Sequence, residues 1–254
     1  MKNSNEQIQL LKNEKKELLK RIAELETKNR ALQLQSPNYK SAISLQPITK
    51  KVFMAVEGKD DKNFVDAFLK HLAIDPKIYQ IEEIAGNTKY QSTIPTLVKT
   101  SGFIDNVKAL IIIRDADEDP NATFQSLTHL ITKIGLQPPN NPNEYSNGNP
   151  SVGLFIMPGK GLMGALESLA LKTVEKDPIT PLITKFLEDI QKLPNIDLGS
   201  NNEIDKRKAQ IYLATRLELV YQVGLAAQKG YFDFDDLSEE LQAFKEFCLK
   251  INNF

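Results

Sequence analysis

Two acidic segments stand where buried strands should end, and carboxylates placed that way can bind a metal or act as general acids or bases. Glu57-Gly58-Lys59-Asp60-Asp61 follows the apolar run Val52-Phe53-Met54-Ala55-Val56. Arg114-Asp115-Ala116-Asp117-Glu118-Asp119 follows Ala109-Leu110-Ile111-Ile112-Ile113. Short apolar runs rich in β-branched residues predict strands buried on both faces of a parallel sheet. Ligands of such sheets bind outside the carboxyl ends of the strands. Glu57, Asp115 and Asp117 are therefore expected to converge at one sheet edge. Carboxylates crowded into one crevice repel each other unless a cation joins them. Oxygen donors without nearby His or Cys suit a hard ion, Mg²⁺ or Mn²⁺.

Each residue also has a plainer reading. Glu57 could be a turn residue, with Gly58 allowing the sharp bend. Asp60 is placed to cap the following helix, and Asp61 to meet its dipole in the first turn. Asp115 and Asp117 share a face only if the chain stays extended past Ile113. Asp119 before Pro120 reads as a helix cap rather than a ligand. Gly159-Lys160-Gly161 is expected to open a helix and to bring N–H groups near a phosphate, but it lacks P-loop spacing. Glu167 lies beside the apolar stripe Leu162, Leu166, Leu169 and Ala170, where a solvent-facing Glu is the ordinary outcome. Lys206-Arg207-Lys208 could meet a phosphate backbone or be a solvated face. On the same helix Tyr212, Leu213, Leu217 and Val220 read as core.

The elements that must position these groups alternate in period. After strand 52–56 comes a helix over about 61–72, a strand 78–84 and a helix over about 88–100. Strand 109–113, a helix over about 121–134 and a strand 152–157 follow, with 137–151 between them rich in Pro, Asn and Gly and expected as an exposed loop. From Leu162 the pattern is helical, over about 162–175, 179–193, 203–228 and 236–251. The expectation is an α/β domain over 48–254 with four mainly parallel strands flanked by helices and a helical C-terminal part. Residues 6–34 carry a heptad, with Leu11, Leu18, Leu25 and Leu32 at one core position and Ile8, Lys15, Ile22 and Asn29 at the other. That pattern predicts an N-terminal coiled-coil helix over 1–35 that homodimerises in parallel, polar core residues fixing the register. A single amphipathic helix packed on its own domain is the alternative. Ser36-Pro37-Asn38 begins a linker over 36–47.

Bulk properties narrow the classes. The formal net charge is −1, so nucleic acid would have to be met by a local basic surface rather than by the whole molecule. With 1 Cys and 2 His, no intrachain disulfide and no zinc finger or ribbon can form. No apolar run is long enough to span a membrane, and the charged N-terminus lacks a signal core, so a cytoplasmic protein is expected.

Val56-Glu57-Gly58-Lys59-Asp60-Asp61 with Asp115-Ala116-Asp117 resembles the TOPRIM domain, the metal-binding fold of topoisomerases, bacterial primases, ribosomal-RNA maturases and OLD-family nucleases. Pro158, Gly164-Ala165-Leu166-Glu167-Ser168-Leu169, Lys208-Ala209-Gln210-Ile211-Tyr212-Leu213-Ala214, Gly224 and Gly230-Tyr231-Phe232 are similar to small stand-alone bacterial TOPRIM proteins related to the OLD nucleases. The resemblance covers about residues 50–250 and not the heptad. It implies Glu57 as general acid/base or metal ligand, Asp115 and Asp117 as ligands, Glu167 as a ligand of a second ion and Lys208 as a catalytic phosphate contact. Glu118-Asp119-Pro120 departs from the Gly that follows Asp-x-Asp in many members, which favours the OLD-like version over the topoisomerase and maturase versions. A topoisomerase needs further domains, and a primase a zinc module. The implied activity is a Mg²⁺-dependent nuclease acting on DNA or RNA, an effector in anti-phage defence beside an ATPase partner. The competing expectation is a non-catalytic TOPRIM adaptor that dimerises through its coiled coil. A phosphotransfer or nucleotide-hydrolysing enzyme ranks behind both, because no P-loop is present.

Overall fold

The computed structural model describes residues 47–84 and 87–254. The heptad and nearly all of the linker lie outside the described residues. Five strands form one sheet: β1 (Val52–Val56), β2 (Tyr79–Glu83), β3 (Ala109–Asp115), β4 (Glu144–Tyr145) and β5 (Ser151–Met157), in the order β2-β1-β3-β5-β4. β1 lies parallel to β2 and β3, and β3 parallel to β5, while β4 runs antiparallel to β5.

Side chains alternate across this sheet and build two cores. Val52, Met54, Val56, Ile111, Ile113, Phe155 and Met157 belong to one face. Phe53, Ala55, Leu110, Ile112, Leu154 and Ile156 belong to the other. Both faces are covered, so the central strands read as continuous apolar runs. The first face is packed by α1 (Lys59–His71), α5 (Leu166–Lys172), α6 (Thr180–Gln191), α7 (Asn201–Ala214), α8 (Val223–Gln228) and α9 (Glu239–Leu249), with a 3₁₀ turn at Lys250–Asn253. The second is packed by α2 (Asn87–Leu97), α3 (Ser101–Asn106) and α4 (Pro120–Lys133). Phe155 joins this architecture tightly, its ring 4.8 Å from Phe244 and 5.1 Å from Phe247 of α9.

The α/β expectation holds, with three differences. The sheet has a fifth strand, because β4 arises inside the stretch expected to be loop. Asn143 and Ser146 donate backbone N–H bonds of 2.8 Å to Leu154 and Val152, and the Tyr145 ring stacks on Phe247 at 4.6 Å. The Pro and Asn content marks the turns on either side and hides the two residues that pair.

The second difference is at Gly159-Lys160-Gly161, which opens no helix. Gly159, Lys160, Gly161 and Gly164 all have positive φ, and α5 starts only at Leu166. A helix cannot propagate through left-handed residues.

The third is that the helix expected over 203–228 is two helices, α7 and α8. Thr215 closes α7 by donating its hydroxyl to the Tyr212 carbonyl at 2.6 Å, and Arg216 folds back over the Tyr212 ring at 4.2 Å. Asp60 then captures the N–H groups of Val223 and Gly224 at 2.8 and 2.7 Å, and α8 starts there. Tyr212, Leu213 and Val220 are core as expected, but Leu217, in the break, is 100% exposed.

The contact between α1 and α8 needs a residue without a side chain. A Cβ on Gly224 would lie 2.2 Å from the Asp60 carbonyl oxygen and 2.7 Å from the Asn63 Cβ. Gly224→Ala is therefore expected to destabilise the fold by about 3 kcal/mol, the upper part of the overpacking range. Urea unfolding followed by circular dichroism checks this, and an unchanged midpoint contradicts the packing described.

Candidate functional site

The connections from β1 and β3 leave in opposite directions along the sheet, β1 to its outer neighbour β2 and β3 to β5 on the other side. Open α/β sheets bind ligands in the crevice at such a switch point, outside the carboxyl ends of the strands. Ala55 stands opposite Ile112, so β1 and β3 finish side by side. Glu57 and Asp115 are brought to the same edge, as the sequence predicts.

Strand alternation decides how each side chain enters. Glu57 and Arg114 continue the series of Phe53 and Leu110, toward α2. The Arg114 Nε lies 3.6 Å from a Glu57 carboxylate oxygen, with Arg114 3% exposed and Glu57 27%. Neither that oxygen nor that nitrogen has a hydrogen-bond partner among the described residues. The guanidinium sits 5.3 Å from the centre of the Tyr90 ring, whose hydroxyl donates to the Ile113 carbonyl at 3.4 Å. Asp115 continues the other series, toward α1 and α5, and its Oδ1 accepts the Leu166 N–H at 3.1 Å.

Asp61 is the residue that the sequence reading placed only as a dipole partner. Its Oδ2 accepts the Gly58 N–H at 3.0 Å, closing the first turn of α1 and turning the carboxylate back to the crevice. Burial, with Glu57 and Glu167 adding like charge, pushes its pKa from 3.8 up to about 7. Burial also drives Asp115 well above the ordinary carboxylate range, and the fields of Asp61, Glu57, Glu167 and Asp117 add to it in that order. Glu167, at the start of α5, is raised by burial and by Asp60 and Asp205, against which the Lys206 ammonium draws it down. Four carboxylates from β1, α1, β3 and α5 thus act on one another through a poorly hydrated space.

Other expected members stand apart. Asp117 does not continue β3: its φ is 51°, its backbone pairs with Gly164 as an isolated antiparallel bridge, and its side chain is exposed. The extended geometry that would align it with Asp115 is absent, and its field at Asp115 is the weakest of the four. Asp60 is not the N-cap of α1, which is Gly58. Asp60 instead holds α8, and burial raises it while the Gly224 and Val223 N–H groups pull it down. Asp119 is the cap that its sequence position predicts, accepting from Asn121 and Ala122 at 2.9 Å each. Lys208 lines a cavity between α5, α6 and α7, whereas Lys206 lines an open groove with Asp117, Glu118 and Asp119.

Whether a cation fits is decided by charge and by reach. Among the described residues no three His, Cys, Asp or Glu side chains stand in metal-ligating positions. The Asp61 and Asp115 oxygens named above are occupied by backbone donors, and Glu57 leans on Arg114. The donor set is nevertheless all oxygen and crowded with like charge, which a divalent ion relieves. Glu57 and Glu167 are partly exposed, so ligation would be completed by rotating these two longer side chains toward the two fixed aspartates.

The sequence model of a family described as protein of unknown function (DUF3226) matches residues 51–252, and the chain belongs to that family. No curated protein matches the chain. Among solved structures, the C-terminal region of the OLD protein of Xanthomonas campestris pv. campestris, phased with mercury, is similar at 12% identity and a TM-score of 0.41, covering 80% of this chain and 97% of that one. The same region phased with platinum is similar at 11% identity and a TM-score of 0.40, covering 80% of this chain and 95% of that one.

The raised carboxylates imply a pH dependence of known sign. A group whose pKa is higher folded than unfolded binds its proton more tightly in the fold, so its contribution to stability falls as pH rises between the two values. For Asp61 that window runs from 3.8 to about 7. In EDTA, Asp61→Asn should lose less melting temperature than wild type between about pH 4 and pH 7. Parallel curves for the two proteins, measured by differential scanning calorimetry, would refute the crowding.

Proposed function

We propose that this member of the DUF3226 family binds a divalent cation, Mg²⁺ or Mn²⁺, through Glu57, Asp61, Asp115 and Glu167, and hydrolyses phosphodiester bonds in nucleic acid. The observation that carries the reading is the mutual electrostatic reach of carboxylates from separate elements at the switch point of the sheet. The sequence resemblance to TOPRIM nucleases supports the same chemistry. A bound ion would supply charge neutralisation and Lewis-acid polarisation of the phosphoryl group.

The chain's own residues take the remaining roles. Asp61 and Asp115, tied to backbone N–H groups, provide fixed negative oxygens whose ionisation the cation favours. Arg114 holds Glu57 at the edge of the crevice, where its carboxylate can take a proton from the attacking water. Lys206, exposed at the mouth, attracts the phosphate backbone and offsets the acidic surface around Asp117 and Glu118. Asp117, on the rim, is placed for a cation that enters with the substrate rather than one held deep in the crevice.

A second reading has its own observation. No three ligating groups are assembled among the described residues, and a non-catalytic module that binds a partner needs no such assembly. Homodimerisation through residues 6–34, an ATPase partner and a role in phage defence are proposals that rest on the sequence alone.

Metal binding and catalysis are separable by experiment. Mn²⁺ at about a hundred times its dissociation constant should stabilise wild type by roughly 2.7 kcal/mol, visible as a higher melting temperature, and should leave Asp115→Ala nearly unmoved. Cleavage of DNA or RNA should fall at least about a hundredfold in Asp115→Ala and in Glu57→Gln, the range expected for loss of an acid–base group. A cation shift without cleavage leaves the adaptor reading standing, and absence of both rejects the site.

A further inference from the structure

We propose that the cavity between α5, α6 and α7 binds one nucleotide unit, with the Lys208 ammonium on its phosphate and the Leu162–Met163 rim against its base. The cavity holds about 310 Å³, at the small end of ligand pockets. Its walls combine two kinds of surface. Leu162 and Met163, 44% and 58% exposed, extend a side formed with Leu171 and Ile183. Lys172 and Lys208 supply positive charge, and Glu175 and Asp205 line the same cavity with negative charge. An apolar slot beside an ammonium selects a flat, weakly polar body that carries an anion, and a nucleotide combines both.

The charges in the cavity are unevenly satisfied. Lys208 has no ion pair or hydrogen bond among the described residues. Lys172 is 3.8 Å from Glu175 and 3.7 Å from Glu240, beyond direct hydrogen-bond length. Asp205 accepts the Ser168 hydroxyl through one oxygen at 2.7 Å. Its other oxygen has no hydrogen bond among the described residues, and a carboxylate oxygen can accept from the exocyclic amine of adenine, cytosine or guanine.

The cavity also adjoins the acidic crevice. Ser168 lines it, and Glu167, one residue earlier on the first turn of α5, belongs to the carboxylate cluster. A nucleotide held here would flank a phosphodiester lying in the crevice. That link rests on the nuclease reading; the binding itself does not.

The test uses the full chain in EDTA, so that loss of metal chemistry cannot affect it. Isothermal titration and saturation-transfer NMR would follow adenosine, AMP and a short oligoadenylate. AMP is expected to bind weakly, with adenosine and the Lys208→Glu variant each weaker by about tenfold, the loss of one charge-assisted hydrogen bond. Thr184→Trp, which fills the cavity from α6, should abolish binding, and Lys208→Gln serves should that variant fail to fold. Oligoadenylate bound more tightly than AMP and still dependent on Lys208 identifies a strand as the source, whereas AMP bound as tightly identifies a free nucleotide. The proposal is overturned by no binding of either probe at about 10 mM. It is equally overturned by wild-type affinity in folded Lys208→Glu and Thr184→Trp.

Discussion

Negative charge held in a half-dry crevice governs how this domain is assembled. Carboxylates at the ends of β1 and β3 cannot be left facing one another without compensation. The chain supplies backbone N–H groups from helix starts. Asp61 takes that of Gly58 at the start of α1, Asp115 that of Leu166 at the start of α5, and Asp60 those of Val223 and Gly224 at the start of α8. Each bond satisfies a donor that a helix leaves open and adds the favourable interaction of an anion with the positive end of the helix dipole. Asp115 thus ties α5 to β3, Asp60 ties α8 to α1, and Asp61 closes the first turn of its own helix, so a change to one aspartate acts on packing as well as on charge.

The two faces of the sheet treat charge differently. Toward α1 and α5 the aspartates are stabilised by amides and remain short of neutralisation, which is why burial and mutual repulsion raise Asp61 and Asp115 together. Toward α2 one guanidinium faces one carboxylate, at 3.6 Å and without a shared hydrogen bond. Desolvation of an ion pair is recovered only when geometry is good. Arg114 rests over the Tyr90 ring and meets Glu57 without a hydrogen bond, so the pair positions Glu57 without fixing its rotamer. The acidic edge thus combines two carboxylates tied to backbone N–H groups of other residues, Asp61 and Asp115, with two that, among the described residues, are not, Glu57 and Glu167.

Much of this was legible in the residue order. β1, β3 and β5 stand out as apolar runs bounded by turn residues, and the acidic groups at the ends of 52–56 and 109–113 follow from that. What pattern reading could not supply was long-range pairing. Asp60 looks like a helix cap because sequence shows only its neighbours, while the groups it holds are more than 160 residues away. The break between α7 and α8 has no Gly or Pro at its start to announce it; it follows from Thr215 closing on Tyr212 and from the capture of Val223 by Asp60. Asp61 carried a local signal, an acid three residues after a glycine at a strand end, but that spacing serves capping and crevice equally. Arg114 was visible as a lone charge in a buried strand, and a charge so placed must have a partner nearby. Asp117 departs from the expectation because β3 ends at Asp115, and a positive φ and a bridge to Gly164 take its backbone out of the strand.

The charge distribution also sets the conditions for any encounter with a polyanion. In a chain of formal net charge −1, a concentrated cluster of carboxylates repels phosphate. Lys206 at the groove and Lys172 and Lys208 in the neighbouring cavity place positive charge beside that crevice rather than in it. A strand held by those lysines would be drawn to the rim, and its phosphate would enter only when the carboxylates are neutralised. Neutralisation by protons ties up the groups that catalysis needs, whereas a divalent cation neutralises them and leaves them as ligands. On the proposed reading, the same crowding would make neutralisation by a divalent cation the condition for a phosphate to approach the carboxylates.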